Sequence, residues 1–352
     1  MKKGRFLGVA LTVSVLLMAF LSYGQTAAPP SSLEDKVVVY SPHGKDILAE
    51  FEKFFEESYP GVDVQWLDMG SQDVLDRIRS EKANPQGDIW WGAPSSMFDA
   101  AAKEGLLKPY KPSWSDKVKE TFRHPEYYWY GTFQTPEVIM YNNQLLTEKD
   151  APKDWDELLD PKWKDKVIIR YPLASGTMRT IYAAMIYRFY KKTGKPDEGY
   201  EWLKKLDANT KSYAANPTIL NQKLARGEGM VTLWNMPGAV FDAKVNGYPL
   251  GFIVPKSGTP VLTDAMAIIA NSKHPKAAEA FYEFVTSLQS SVLLAHEHYR
   301  IPTRSDIPEK SLPKWISETK ITPMEIDWKV MGEKEAEWMK YWDENIKEKG
   351  RK

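Results

Sequence analysis

The hydrophobic pattern alternates short apolar runs with amphipathic stretches almost from its start. Val37-Val38-Val39-Tyr40 is a continuous β-branched and aromatic run, the pattern of a strand buried on both faces. Ser41-Pro42-His43-Gly44 breaks it, and Ile47, Leu48, Phe51, Phe54 and Phe55 then recur at helical spacing. Gly61 to Leu67 reads as a second strand, with Val62, Val64 and Trp66 in alternation. Gly70-Ser71 opens a helix carrying Val74, Leu75 and Ile78, and Asp88-Ile89-Trp90-Trp91 is a third strand stopped by Gly92-Ala93-Pro94. Strand, loop and helix in this rhythm predict an open, mostly parallel α/β sheet.

The rhythm then starts again. Val167 to Arg170 predicts a strand, and Ser175-Gly176-Thr177 opens a helix with Ile181, Met185 and Phe189 on its face. Helices are expected around Tyr200 to Leu206 and Ile219 to Arg226, with strands at Met230 to Trp234 and Leu250 to Val254. Ala265 to Ala270 reads as a strand returning to the first sheet, followed by an apolar helix from Pro275 to about Leu288. The second unit is therefore expected to be inserted into the first. Crossings are placed near Gln134-Thr135-Pro136 and Ser257 to Val261, both rich in turn formers. The division that follows puts residues 33–135 with 262–310 in one lobe and 136–261 in the other. A C-terminal segment, 311–352, carries Trp338, Trp342 and Ile346 at helical spacing and is expected to pack on the lobes.

The N-terminus has a different pattern. Lys2, Lys3 and Arg5 precede an apolar run from Phe6 to Leu21, and Ser22-Tyr23-Gly24 places small residues where a signal peptidase cuts. A membrane anchor is the alternative, but the run is marginal for spanning about 30 Å of hydrocarbon. Residues 1–24 are thus expected to be a cleaved export signal and the mature protein periplasmic. The chain has no cysteine, which excludes a lipid-anchoring cysteine, disulfides and thiolate metal sites. Its 47 basic and 47 acidic residues among 352 argue against a nucleic-acid surface, and the length suits two cores.

In open α/β sheets ligands bind beyond the carboxyl ends of the strands. Two sheets facing one another would share one crevice, whose expected lining comes from the strand ends. These are Ser41, His43, Gly44, Gly70, Ser71, Trp91 and Gly92 from the first unit, and Ser175, Gly176, Thr177 and Asn235 from the second. The crossings add Thr135 and Asp264; Asn216 is a further candidate. The glycines allow close backbone approach. Ser71 and Ser175 to Thr177 sit at expected helix starts, where unpaired N–H groups favour an anion. Each has a plainer reading. Ser175-Gly176-Thr177 also suits a helix cap, His43 a loop histidine, and Arg170 and Arg179 ordinary ion pairs. Trp90 and Trp91 are consecutive on a strand, so one ring is expected in the core and the other against the crevice.

These residues resemble a family. Val37 to Gly44, Arg77 to Gly92, Ser175-Gly176-Thr177 and Leu203 to Asn209 are similar to bacterial extracellular solute-binding proteins of the ferric-iron-binding type, over about Val37 to Ser287. The resemblance implies a two-lobed type II periplasmic-binding fold with two hinge-crossing segments. It also implies closure on a small solute and docking to the membrane permease of an ABC importer. The chain is further expected to be a monomer, without cofactor and without a nucleic-acid partner. Iron-binding members carry adjacent tyrosines after the strand matching Met230 to Trp234; here Asn235 to Phe241 has none. That departure argues against Fe³⁺, which requires anionic oxygen ligands. Polyamines suit a lining short of carboxylates poorly, and a phosphate-bearing solute fits the Ser, Thr and Gly residues better. An exported hydrolase is the rival class. The chain has no G-x-S-x-G or H-E-x-x-H, and His296 and His298, two apart, make a poor metal pair on a helix. A ligand-sensing role on the same fold stays open.

Overall fold

The computed structural model describes residues 33–349; the expected export signal lies outside them. In chain order the elements are β1 (Lys36–Ser41), α1 (Lys45–Ser58), β2 (Asp63–Asp68), α2 (Ser71–Ser80), β3 (Ile89–Pro94), α3 (Ser95–Lys103) and β4 (Leu107–Lys108). There follow β5 (Tyr130–Asn142), β6 (Val167–Arg170), α4 (Gly176–Thr193), α5 (Asp197–Asn209), β7 (Thr210–Ala214), α6 (Pro217–Ala225), β8 (Val231–Asn235), α7 (Met236–Lys244) and β9 (Leu250–Ile253). The chain continues through β10 (Val261–Ile269), α8 (Pro275–Val285), α9 (Leu288–Glu297), β11 (Ile301–Pro302), α10 (Trp315–Glu318) and α11 (Trp328–Asn345).

One sheet runs β2-β1-β3-β10-β5, the other β5-β8-β6-β7. In the first, β1 to β3 are parallel and β10 returns antiparallel between β3 and β5. In the second, β6 is parallel to β7 and β8, and β5 pairs antiparallel with β8 and β9. The strand β5 therefore belongs to both. Its residues 130–136 pair with β10, and Glu137 onward pairs with β8. Pro136 stands at the change of partner, where a residue lacking an N–H costs least. The Glu137 amide then bonds the Pro260 carbonyl at 3.0 Å, tying the two crossing segments together. Sequence pattern placed both crossings but not this 13-residue strand, since an internal proline argues against one.

The apolar residues sort into three packed groups. Val37, Val39, Phe51, Trp91 and Phe281 lie on one face of the first sheet, and Tyr40, Trp90, Phe98 and Ala267 on the other. The third group spans the second sheet and its helices and takes in Trp338, Met339, Trp342 and Ile346 from the C-terminal segment. The expected amphipathic helix is thus present as α11, and its aromatic stripe completes the core of the second sheet. Two expectations need correcting. Pro275 to Leu288 is not one helix: α8 ends at Val285, and the Ser287 hydroxyl accepts from the Ser290 amide to start α9. Trp90 and Trp91 do point to opposite faces, but both are wholly buried, so neither walls a crevice.

Candidate functional site

The carboxyl ends of the parallel strands of both sheets open on one cavity of about 740 Å³. Asp68 and Pro94 end two strands of the first sheet; Arg170 and Asn235 end two of the second. Six helices of nine residues or more have their N-cap on its wall: α1 at Gly44, α2 at Gly70, α3 at Pro94, α4 at Ser175, α6 at Asn216 and α7 at Asn235. Each helix start carries N–H groups without intrahelical partners and the positive end of a dipole, so the wall is a concentrated donor surface.

The structure brings together His43, Gly44, Gly70, Ser71, Thr135, Ser175, Gly176, Thr177, Asn235 and Asp264 on this wall. It places Ser41, Trp91 and Gly92 behind it. The Ser41 hydroxyl accepts the His43 amide at 3.2 Å and shapes the turn that presents His43. Trp91 meets the His43 ring edge-on at 5.3 Å, and Gly92 has φ +99° with the imidazole against it. A Cβ at Gly92 would lie 2.3 Å from His43 Nε2, so the close approach this glycine allows is to a side chain rather than to a ligand. Burial holds the His43 imidazole well below its usual pKa, and the charges of Arg300 and His298 push the same way. It is a neutral ring at physiological pH.

Ser175 is a cap as well as a wall residue: its hydroxyl accepts the Met178 amide at 3.3 Å. Asn216 caps α6 through the Ile219 amide at 2.8 Å, and Asn235 caps α7 through the Gly238 amide at 2.8 Å. The Asn235 side-chain nitrogen faces the Thr177 oxygen at 3.4 Å, which leaves the Thr177 hydroxyl hydrogen available to a ligand. Thr135 spends its hydroxyl on Asp264 at 2.5 Å. Gly70 and Gly176 lie where the rims meet. An added Cβ would stand 2.5 Å from the Ala174 oxygen or 2.7 Å from Pro94 Cδ, respectively.

Arg170 is the wall cation weighed evenly from sequence. It is 5 % exposed, its Nε has no partner among the described residues, and burial lowers its pKa while Asp73 opposes that shift. It ends β6, so the strand-end rule that chose the other residues also covers it. Arg179 is different: it pairs with Glu335 of α11. Arg300, whose Nε has no partner among the described residues, also reaches the wall, from a segment just before β11 that has no sequence signal. His296 and His298 do not face one another's partners: one bonds the Ser311 carbonyl at 3.0 Å, the other Glu50 at 2.6 Å.

Two α/β sheets joined by crossing strands, with a polar cavity between their strand ends, are the arrangement of a receptor for a small solute. The chain belongs to the bacterial extracellular solute-binding protein family, whose model matches residues 92–322. A probable ABC transporter periplasmic-binding protein of Sinorhizobium fredii is 28% identical over 89% of this chain and 87% of its own. A putative 2-aminoethylphosphonate-binding periplasmic protein of Salmonella typhimurium is 31% identical over 60% of each chain. Iron uptake protein A1 of Synechocystis is 24% identical over 86% of each. Among solved structures, the periplasmic binding protein AfuA of Actinobacillus pleuropneumoniae, with fructose-6-phosphate bound, superposes with a TM-score of 0.77 at 22% identity, covering 89% of this chain and 99% of that one. Among the described residues no helix is long and apolar enough to cross a membrane.

Proposed function

We propose that this chain carries a small phosphate-bearing solute, such as a sugar phosphate or a phosphonate, to the permease of an ABC importer. The observation that supports it is the convergence on one cavity of six helix N-termini and of Arg170, whose Nε has no partner among the described residues. A phosphate group offers several acceptor oxygens to such donors, and hydrogen bonds to a charged group contribute about 1.5–3 kcal/mol net each. Three to five of them reach the ~8 kcal/mol of a micromolar site. The relatives named for a phosphonate and a sugar phosphate support the same chemistry.

Ferric iron is a poorer fit. The wall carboxylates are Asp68, Asp73 and Asp264, of which Asp264 is engaged by Thr135, and the wall has no tyrosine. In this reading residues 33–135 with 262–310 form one lobe and 136–261 the other, and the lobes hinge at the β5 and β10 crossings. Binding, not catalysis, is the activity. Residence in the periplasm as a monomer, after removal of the N-terminal leader, belongs to the same proposal.

A thermal-shift and calorimetric screen of sugar phosphates, phosphonates, Fe³⁺ and polyamines tests it. Phosphate-bearing solutes are expected to raise the melting temperature by mass action on the closed state. Stabilisation by Fe³⁺ alone would overturn the ligand class.

A further inference from the structure

The C-terminal helix touches both rims of the cavity at once. Glu335 of α11 pairs with Arg179 of α4, and both side chains are largely buried. The start of that helix also carries Gly176 and Thr177 of the wall. One turn earlier on α11, Gly332 lies against Ser96 of α3, where an added Cβ would stand 3.0 Å from the Ser96 Cβ. Ser96 follows closely on Pro94, which is on the wall of the other rim. Positions 332 and 335 are neighbours on a helix surface, so one stripe of α11 grips the starts of α3 and α4 together. A glycine inside a helix costs about 1 kcal/mol against alanine. Its close approach to Ser96 accounts for its place here.

The route of the chain makes this a contact across the cleft. After β11 the first unit still holds the chain: the Thr303 hydroxyl donates to the Gly131 carbonyl at 2.6 Å, and the Ser305 amide to the Lys117 carbonyl at 2.8 Å. At the crossing, the Thr259 amide bonds the Thr322 carbonyl at 2.9 Å, and the Met324 amide bonds the Thr259 carbonyl at 2.8 Å. Beyond it α11 enters the second core through Trp338 and Trp342. A third segment therefore joins the two units, and its helix belongs to the second.

The seat on α3 is narrow. Behind it a cavity of about 410 Å³ lies between Ala336, Met339 and Lys340 of α11 and Leu75, Arg79 and Met97 of α2 and α3. A small contact beside a void has little of the dispersion attraction of a packed interface, so it is made and broken at low cost. The aromatic face that fixes α11 to the second core is the opposite case.

We propose that α11 is the latch of the cleft. As the rims meet, Gly332 seats on Ser96 and ties the start of α3 to the start of α4 through Glu335 and Arg179, which holds the closed form. The inference rests on the hinge-closing reading above and gives it a part that lies outside the cavity wall.

The chain has no cysteine, so one disulfide can be placed without competition. Ser96→Cys with Gly332→Cys puts two thiols at the seat, a little inside the ~3.8 Å between the Cβ atoms of a disulfide. Gly332→Leu does the reverse: leucine suits a helix better than glycine, but its side chain wedges α3 away. Small-angle scattering on the full chain needs no solute. The leucine variant is expected to exceed the oxidised cysteine variant in radius of gyration by on the order of 1 Å on ~20 Å. Release of fructose 6-phosphate or 2-aminoethylphosphonate, whichever binds the wild type, should be at least about tenfold slower from the oxidised variant. Dithiothreitol should restore it, and the leucine variant should release about threefold faster than wild type. A disulfide that does not form, equal radii, or release indifferent to the disulfide each overturns the latch and leaves the phosphate reading standing. If neither solute binds the wild type, the phosphate reading fails, and disulfide formation and scattering decide the latch by themselves.

Discussion

The two rims of the cavity are built by different means. On the first sheet, α1, α2 and α3 begin at Gly44, Gly70 and Pro94, and none of these starts has a side-chain cap. On the second, α4, α6 and α7 begin at Ser175, Asn216 and Asn235, each holding an amide of its own helix. A capped start has a fixed geometry but has spent one of its orphan donors; an uncapped start keeps its donors free at the cost of stability. The second rim also holds Arg170. In the proposed function it is the pre-formed half-site, to which the first rim adds backbone donors on closure.

The largest effect is expected at Arg170, the buried guanidinium at the end of β6 whose Nε has no partner among the described residues. Arg170→Met is expected to weaken binding of an organophosphate about 100-fold, or about 2.7 kcal/mol, while the unliganded protein keeps its melting temperature. Calorimetry together with a thermal melt reads both. Next is Ser175→Ala with Thr177→Ala, expected to reduce affinity about tenfold and stability by about 1 kcal/mol through loss of the α4 cap. A lower melting temperature with unchanged affinity would make Ser175 and Thr177 structural only.

The first rim is tested sterically. Gly70 has φ −58°, so alanine fits the backbone, but its Cβ would press on the Ala174 carbonyl of the opposite rim. Gly70→Ala should weaken binding several-fold, on the order of 1 kcal/mol, and lower the melting temperature of the form in which the rims meet. Unchanged affinity and melting temperature would mean that the rims stand apart at Gly70 in solution.

Where the rims join, the effect expected is on the pH dependence of stability rather than on affinity. Glu137 is fully buried at the crossing with neither carboxylate oxygen hydrogen-bonded among the described residues. Burial holds its carboxyl well above the usual carboxylate range, the charge of Asp264 raises it further, and Arg300 pulls the other way. The folded state thus binds this proton more tightly than the unfolded chain. Its contribution is fully present below the unfolded value and is lost as pH rises through the folded one. Glu137→Gln should flatten the loss of stability with rising pH, by about 1–3 kcal/mol at most. Melts across pH 5 to 8 measure the slope, and an unchanged slope would show that Glu137 does not titrate there.

Much of this was legible because it follows from local pattern. The continuous run at Val37 to Tyr40, the apolar stripe from Ile47 to Phe55 and the Trp338, Trp342, Ile346 spacing each name an element whatever surrounds it. The rule that ligands sit beyond strand ends carried ten of the thirteen expected lining residues to the cavity wall. It failed where packing decides which way a side chain turns. Trp91 follows the pleat into a core already holding Phe51 and Phe281, and Gly92 yields its space to His43.

Sequence alone determined two α/β units, one inserted in the other, a donor-rich set of strand ends and an iron-poor loop after β8, because each depends on residues close in the chain. Tertiary structure decided what those ends face. Arg300 meets His43 and Gly44 on one wall from the far end of the chain, and β5 serves both sheets despite Pro136. Which groups face one another across the cleft is set by how two separately built rims are brought together, and no local pattern encodes that.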